Sequence, residues 1–101
     1  MKTNAKEEFL EINETIKSPV ICAEIETDDR KAKLPLEYTM REWSNFLKEI
    51  DFIYDNGYGG QELFGYVWFG DGSWLERAEY DGSEWWVLKN IPEIPESLIK
   101  E

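Results

Sequence analysis

Histidine is absent from the sequence, and Cys22 is its single cysteine. Without an imidazole, Ser-His and Cys-His nucleophile pairs are excluded, and so are the usual zinc and iron ligand sets. One thiol excludes an internal disulfide and a thiolate metal cluster. Set between Ile21 and Ala23, Cys22 reads as a small buried hydrophobe rather than a reactive thiol. Positive charge is scarce too: 11 Lys and Arg stand against 22 Asp and Glu, for a net charge of −11. No run approaches the roughly 18 apolar residues of a membrane span. Met1 to Lys17 is charged and amphipathic, without the apolar stretch of a signal peptide. The cytosol is the expected location.

What is present is core-forming material. Of 101 residues, 42% are hydrophobic and 15% aromatic, more than a disordered chain carries. That length suits one core, so residues 1–101 are expected to form a single domain. The charge is uneven. Residues 1–50 hold 11 acids and 8 bases, whereas residues 51–101 hold 11 acids and only Arg77, Lys89 and Lys100. Such a chain repels nucleic acid and anionic lipid and attracts basic partners.

Local patterns predict an α+β fold, an antiparallel sheet packed with two amphipathic helices. Asn4 with Glu7 starts a first helix whose apolar face is Ala5, Phe9, Ile12 and Ile16, and Ser18-Pro19 ends it. Alternation over Val20–Thr27 and Lys31–Tyr38 predicts an N-terminal hairpin turning at Asp28-Asp29-Arg30, and Pro35 puts its second strand on an edge. Thr39 and Glu42 form a capping box before the stripe Trp43, Phe46, Leu47 and Ile50, predicting a helix over Met40–Ile50. A short apolar run, Phe52–Tyr54, precedes a loop, Asp55-Asn56-Gly57-Tyr58-Gly59-Gly60. Then comes a three-stranded meander, Glu62–Phe69, Trp74–Tyr80 and Glu84–Lys89, turning at Asp71-Gly72 and Asp81-Gly82. A proline-stiffened tail, Ile91 to Pro95, is expected to lie along the surface.

Two-residue turns would align Val67 with Glu76 and Val87, Tyr66 with Arg77 and Trp86, and Gly65 with Ala78 and Trp85. One face would then carry Val67, Phe69, Trp74, Ala78, Trp85 and Val87, the other Phe64, Tyr66, Trp68, Leu75, Trp86 and Leu88. An antiparallel sheet with one wet side shows one polar face instead. The second apolar face is therefore either a mini-core beneath the hairpin and tail or an exposed binding or homodimer surface. On it Arg77 would sit between Tyr66 and Trp86 as a cation–π sandwich, while on the first face Trp85 would cover the bare backbone of Gly65. Tyr66, Trp68, Trp86 and Arg77 are the candidate aromatic contacts. Glu76, flanked by two valines, is either a perturbed acid or a solvated partner of Lys89.

The glycines of the 55–60 loop lack the Lys-Ser/Thr of a phosphate loop, and Asp51, Asp55 and Asp71 lack calcium-loop spacing. No metal, cofactor or catalytic residue is expected. Glu24, Glu26 and Asp28 alternate along one strand at about 6.7 Å, and Glu79 and Asp81 meet Glu84 across a turn. Such rows either imitate a phosphate backbone or are the solvated face of an ordinary strand.

The segment Gly65 to Arg77, with Asp71-Gly72-Ser73-Trp74-Leu75-Glu76-Arg77, continues as Glu79-Tyr80-Asp81-Gly82-Ser83-Glu84-Trp85-Trp86. Over roughly residues 55–95 it resembles small proteins of phages and mobile elements, most of them without an assigned function. In size and acidity the chain is similar to phage-encoded anti-CRISPR and anti-restriction inhibitors, many of which occupy a host enzyme's nucleic-acid site. The resemblance implies a non-enzymatic inhibitor of a basic host protein such as a CRISPR effector or restriction enzyme, acting without direct nucleic-acid or membrane contact. The alternative is an adaptor or homodimeric module using the aromatic face of its sheet.

Overall fold

The computed structural model describes residues 2–57 and 59–100; Met1, the loop's Tyr58 and Glu101 lie outside the described residues. Chain order is β1 (Lys2–Asn4), α1 (Ala5–Glu14), β2 (Val20–Glu26), β3 (Lys31–Leu34), α2 (Met40–Glu49), β4 (Ile53–Asp55), β5 (Phe64–Phe69), β6 (Trp74–Tyr80) and β7 (Ser83–Lys89), followed by a short 3-10 turn at Glu96–Leu98. The fold is α+β. A five-stranded antiparallel sheet of order β3-β2-β5-β6-β7 carries both helices on one face, and β1 pairs with β4 in a two-stranded annex. Among the described residues no helix is long and apolar enough to cross a membrane.

Both helices start where their caps demand. Asn4 Oδ1 accepts the Glu7 backbone N–H, and at Thr39 the reciprocal capping box closes through Glu42. Thr39→Ala should cost about 1 kcal/mol in denaturant unfolding, because the Glu42 backbone N–H loses its acceptor. Phe9 of α1 meets Phe46 of α2 edge-on at 6.0 Å, and with Ile50 and Leu63 they sit on Ala23, Ile25, Leu34, Val67, Phe69 and Leu75.

The hairpin β2–β3 turns where expected, and β3, which precedes Pro35, is an edge strand. At β6–β7 the two-residue turn holds: Tyr80 pairs with Ser83, and Asp81 and Gly82 both have positive φ. At β5–β6 it does not. Trp68 pairs with Trp74, so Gly70-Asp71-Gly72 forms a three-residue loop with Gly72 at φ +91°. Local bonds fix this longer loop. Gly70 N donates to Pro19 O, Asp71 N donates to Ser18 Oγ, and Asp71 Oδ1 accepts from both the backbone and hydroxyl of Ser73.

That one-residue difference turns β5 over relative to β6. Val67 and Phe69 now share the helix-covered face with Leu75 and Trp86, and Phe64, Tyr66, Trp68, Trp74 and Trp85 gather on the other. Gly65 therefore lies on the core face against Ile25, and Trp85 does not cover it. A bulge between Val20 and Cys22 puts Val20 into the core and leaves Ile21 exposed, against the alternation expected there. Nor does the tail lie along the surface: Ile91, Ile94, Leu98 and Ile99 are all exposed.

Candidate functional site: an acidic end and an open aromatic face

The sheet presents two unlike surfaces, and a buried ionic cluster stands behind them. Arg77 is the hub of that cluster, on the core face of β6. Its guanidinium donates to Glu84 Oε1 at 2.6 Å and to the Tyr54 hydroxyl at 2.8 Å, and lies 3.2 Å from Glu8 of α1. Tyr54 donates in turn to Glu8. Glu84 also accepts the backbone N–H groups of Glu62 and Leu63, so one carboxylate clips the loop before β5 onto β7. Burial pulls the Arg77 pKa down, but the Glu8 and Glu84 carboxylates outweigh it and leave it above its ordinary value. The Tyr54 hydroxyl is pushed well above its usual range by burial and by its bond to Glu8.

Three residues expected at a binding surface are thereby placed inside. Glu84 is 3% exposed and Trp86 is 7%, and the Arg77 side chain is 2% exposed. The cation–π contact with Trp86 forms as expected, at 4.9 Å, but the second ring is Tyr54 at 5.8 Å, because Tyr66 is on the opposite face. The cause is the β5 register, which sends alternate residues of β5 and β6 to faces other than those a shorter loop would give.

The open face is ordered in rows across the strands. One row runs Lys33, Glu24, Tyr66, Glu76, Val87; the next runs Cys22, Trp68, Trp74, Lys89. Tyr66 and Trp68 stack at 5.6 Å. Glu76 is half-buried and accepts the Trp74 indole N–H at 2.9 Å, so its partner is Trp74 rather than Lys89. Glu24 and Glu26 are not a bare row of negative charge. Lys31 bridges both at 3.4 and 3.8 Å, and Lys33 approaches Glu24 at 3.9 Å. Cys22 lines an apolar hollow of about 280 Å³ beside Trp68 and Ile21, and partial burial raises its thiol pKa. It is half-buried on the outer face, not part of the core.

The surplus of carboxylates lies elsewhere. At the end of the sheet where β2 stops and β5 starts, the β2–β3 turn, the 55–62 segment and the β6–β7 turn come together. Asp28, Asp29, Asp55 and Glu62 line a hollow of about 500 Å³ with Lys2 and Arg30, and the Arg30 guanidinium sits 4.3 Å over the Phe52 ring. Asn56 O accepts the Glu84 N–H, which ties this segment to the turn carrying Glu79 and Asp81. Of the acidic candidates, Asp28, Glu79 and Asp81 thus share one end of the molecule, with Glu26 at its margin, and the two turns are about 14 Å apart. Asp29, Asp55 and Glu62 belong with them, which the sequence reading missed because only the fold brings the 55–62 segment to that end.

Among the described residues no three His, Cys, Asp or Glu side chains are placed to hold a metal ion. Compared with known proteins, the chain matches no protein-family model, no curated protein and no solved structure.

Proposed function

We propose that this chain is a non-enzymatic acidic binding protein that inhibits a basic, nucleic-acid-handling protein in the host cytosol, a CRISPR effector or a restriction enzyme, by occupying its nucleic-acid site. The observation that carries this reading is the acidic end: Asp28, Asp29, Asp55, Glu62, Glu79 and Asp81 sit on loops tied together at one extremity of the sheet. Loops that present carboxylates around a hollow offer a basic groove the charge it normally finds in phosphates.

The partner should be captured from a bacterial lysate at low salt and released at high salt, because exposed charge pairs are screened beyond about 10 Å at 0.1 M. Neutralising Asp28, Asp29, Glu79 and Asp81 together should weaken binding by about 1–3 kcal/mol, roughly five- to 150-fold, at a few tenths to one kcal/mol per exposed pair. An affinity indifferent both to salt and to this fourfold change rules the reading out. The open aromatic face favours a second reading, an adaptor or homodimeric module.

A further inference from the structure

Each molecule carries two apolar surfaces that stay open to solvent. The first is the outer sheet face, where Phe64, Tyr66, Trp68 and Trp85 are 39–48% exposed. The second is the tail, whose Ile91, Ile94, Leu98 and Ile99 are 61–76% exposed. Beside Trp68 the face opens into the hollow of about 280 Å³, whose walls are almost wholly apolar. It has room for one aliphatic side chain.

The tail is built to reach past its own sheet. Pro92 and Pro95 fix their own φ, and each holds the isoleucine before it in extended backbone. Residues 91–95 therefore form a stiff segment of about 15 Å that continues beyond the end of β7. The radius of gyration, 15.5 Å, exceeds the roughly 13 Å of a compact domain of 100 residues, as a projecting tail requires. The exposure of Ile94, 66%, shows that it is not seated in the hollow beside its own Trp68.

We propose that the outer face is covered by the C-terminal tail of a second copy of the chain, reciprocally, with Ile94 seated in the hollow beside Trp68. Proline-stiffened segments dock on aromatic surfaces at low entropic cost, because they are already extended. Charge agrees with this seating. Glu93, next to Ile94, meets Lys89 of the other copy, which closes the row of Cys22, Trp68 and Trp74. The area is sufficient as well. The exposed parts of the four aromatics amount to about 350 Å². Two such faces and two tails of comparable area bury about 1,400 Å², within the range of stable interfaces. A twofold exchange closes on itself and leaves no face open for further growth. The acidic end lies at the opposite end of the strands from Lys89, so this inference is independent of the proposed inhibitory role.

The test is the mass of the full chain by sedimentation equilibrium, alone and with substitutions. The full chain should be dimeric, and Ile94→Asp should raise its dissociation constant about thirtyfold or more, as loss of an interface anchor does. Ile94 packs on nothing in its own domain, so an unchanged circular dichroism spectrum is expected. A chain ending at Asn90 and Trp68→Ala should both be monomeric. Mixing Ile94→Asp with Trp68→Ala should restore a heterodimer, because one intact tail then meets one intact face. The dimer should survive both high salt and the fourfold neutralisation of the acidic end. A full chain that is monomeric at every concentration overturns the proposal. So does a dimer that persists without residues 91–100, or a tail that shields Trp68 within a single molecule.

Discussion

Replacing Arg77 with methionine is expected to lower unfolding stability by about 3–5 kcal/mol, the cost of stranding buried charge. The cause is not lost packing, since methionine fills most of the arginine's volume. Glu84 has no exposed side-chain surface and would face the interior without its guanidinium, and Glu8 would lose the cation it pairs with. The experiment is urea denaturation followed by circular dichroism. For a domain of this size each kcal/mol corresponds to about 4–8 °C in the melting midpoint, so a fall of about 15–30 °C should accompany it. Glu84→Ala should be costly for an additional reason: the backbone donors of Glu62 and Leu63 would lose their acceptor. Because the two side chains serve each other, Arg77→Met with Glu84→Ala should cost clearly less than the two singles added together. Strict additivity would mean that Arg77 and Glu84 do not act as a pair.

Gly65→Ala is expected to cost about 3 kcal/mol or more, at the upper end of overpacking effects. A Cβ at this position would lie 2.3 Å from the Glu24 carbonyl oxygen and 2.9 Å from the Ile25 Cα. Both are backbone atoms of β2, so a strand rather than a rotamer has to move. The φ of +155° adds to the difficulty. The β2–β5 seam is where the sheet joins the hairpin to the meander, and opening it exposes Ala23, Ile25 and Val67 together. Gly72→Ala is the appropriate control. It also has positive φ, but nothing lies within 4 Å of its Cβ position, so only about 1–2 kcal/mol of backbone strain is expected. Equal melting points for the two variants would show that the close approach at Gly65 does not hold the seam.

Elements with local signals were legible in the sequence. The Asn4 and Thr39 caps, the turn at Asp81-Gly82 and the edge position before Pro35 all depend on neighbours in the chain, and the structure has each of them. Register across β5–β6 was not legible, because Asp71-Gly72 also fits a three-residue loop, and the choice is made by Ser18 and Pro19, some fifty residues earlier. The misassigned surface residues follow from that single difference. Arg77 belongs inside once β5 is turned over, because the partners that justify its burial, Glu8 and Tyr54, come from α1 and β4. No spacing within residues 64–89 could announce them. The aromatic face was legible as a surplus of rings, though not in its composition, and the acidic end only as an excess of charge in the second half.

The distribution of indoles gives the molecule a built-in optical reporter. Trp68, Trp74 and Trp85 share the outer face, Trp86 is sealed inside against Arg77, and Trp43 stacks on Tyr38 under α2. An aqueous quencher reaches the first group wherever the face is uncovered, and reaches Trp86 only when the interior opens. Emission from one unlabelled sample therefore separates what touches the sheet from what unfolds it.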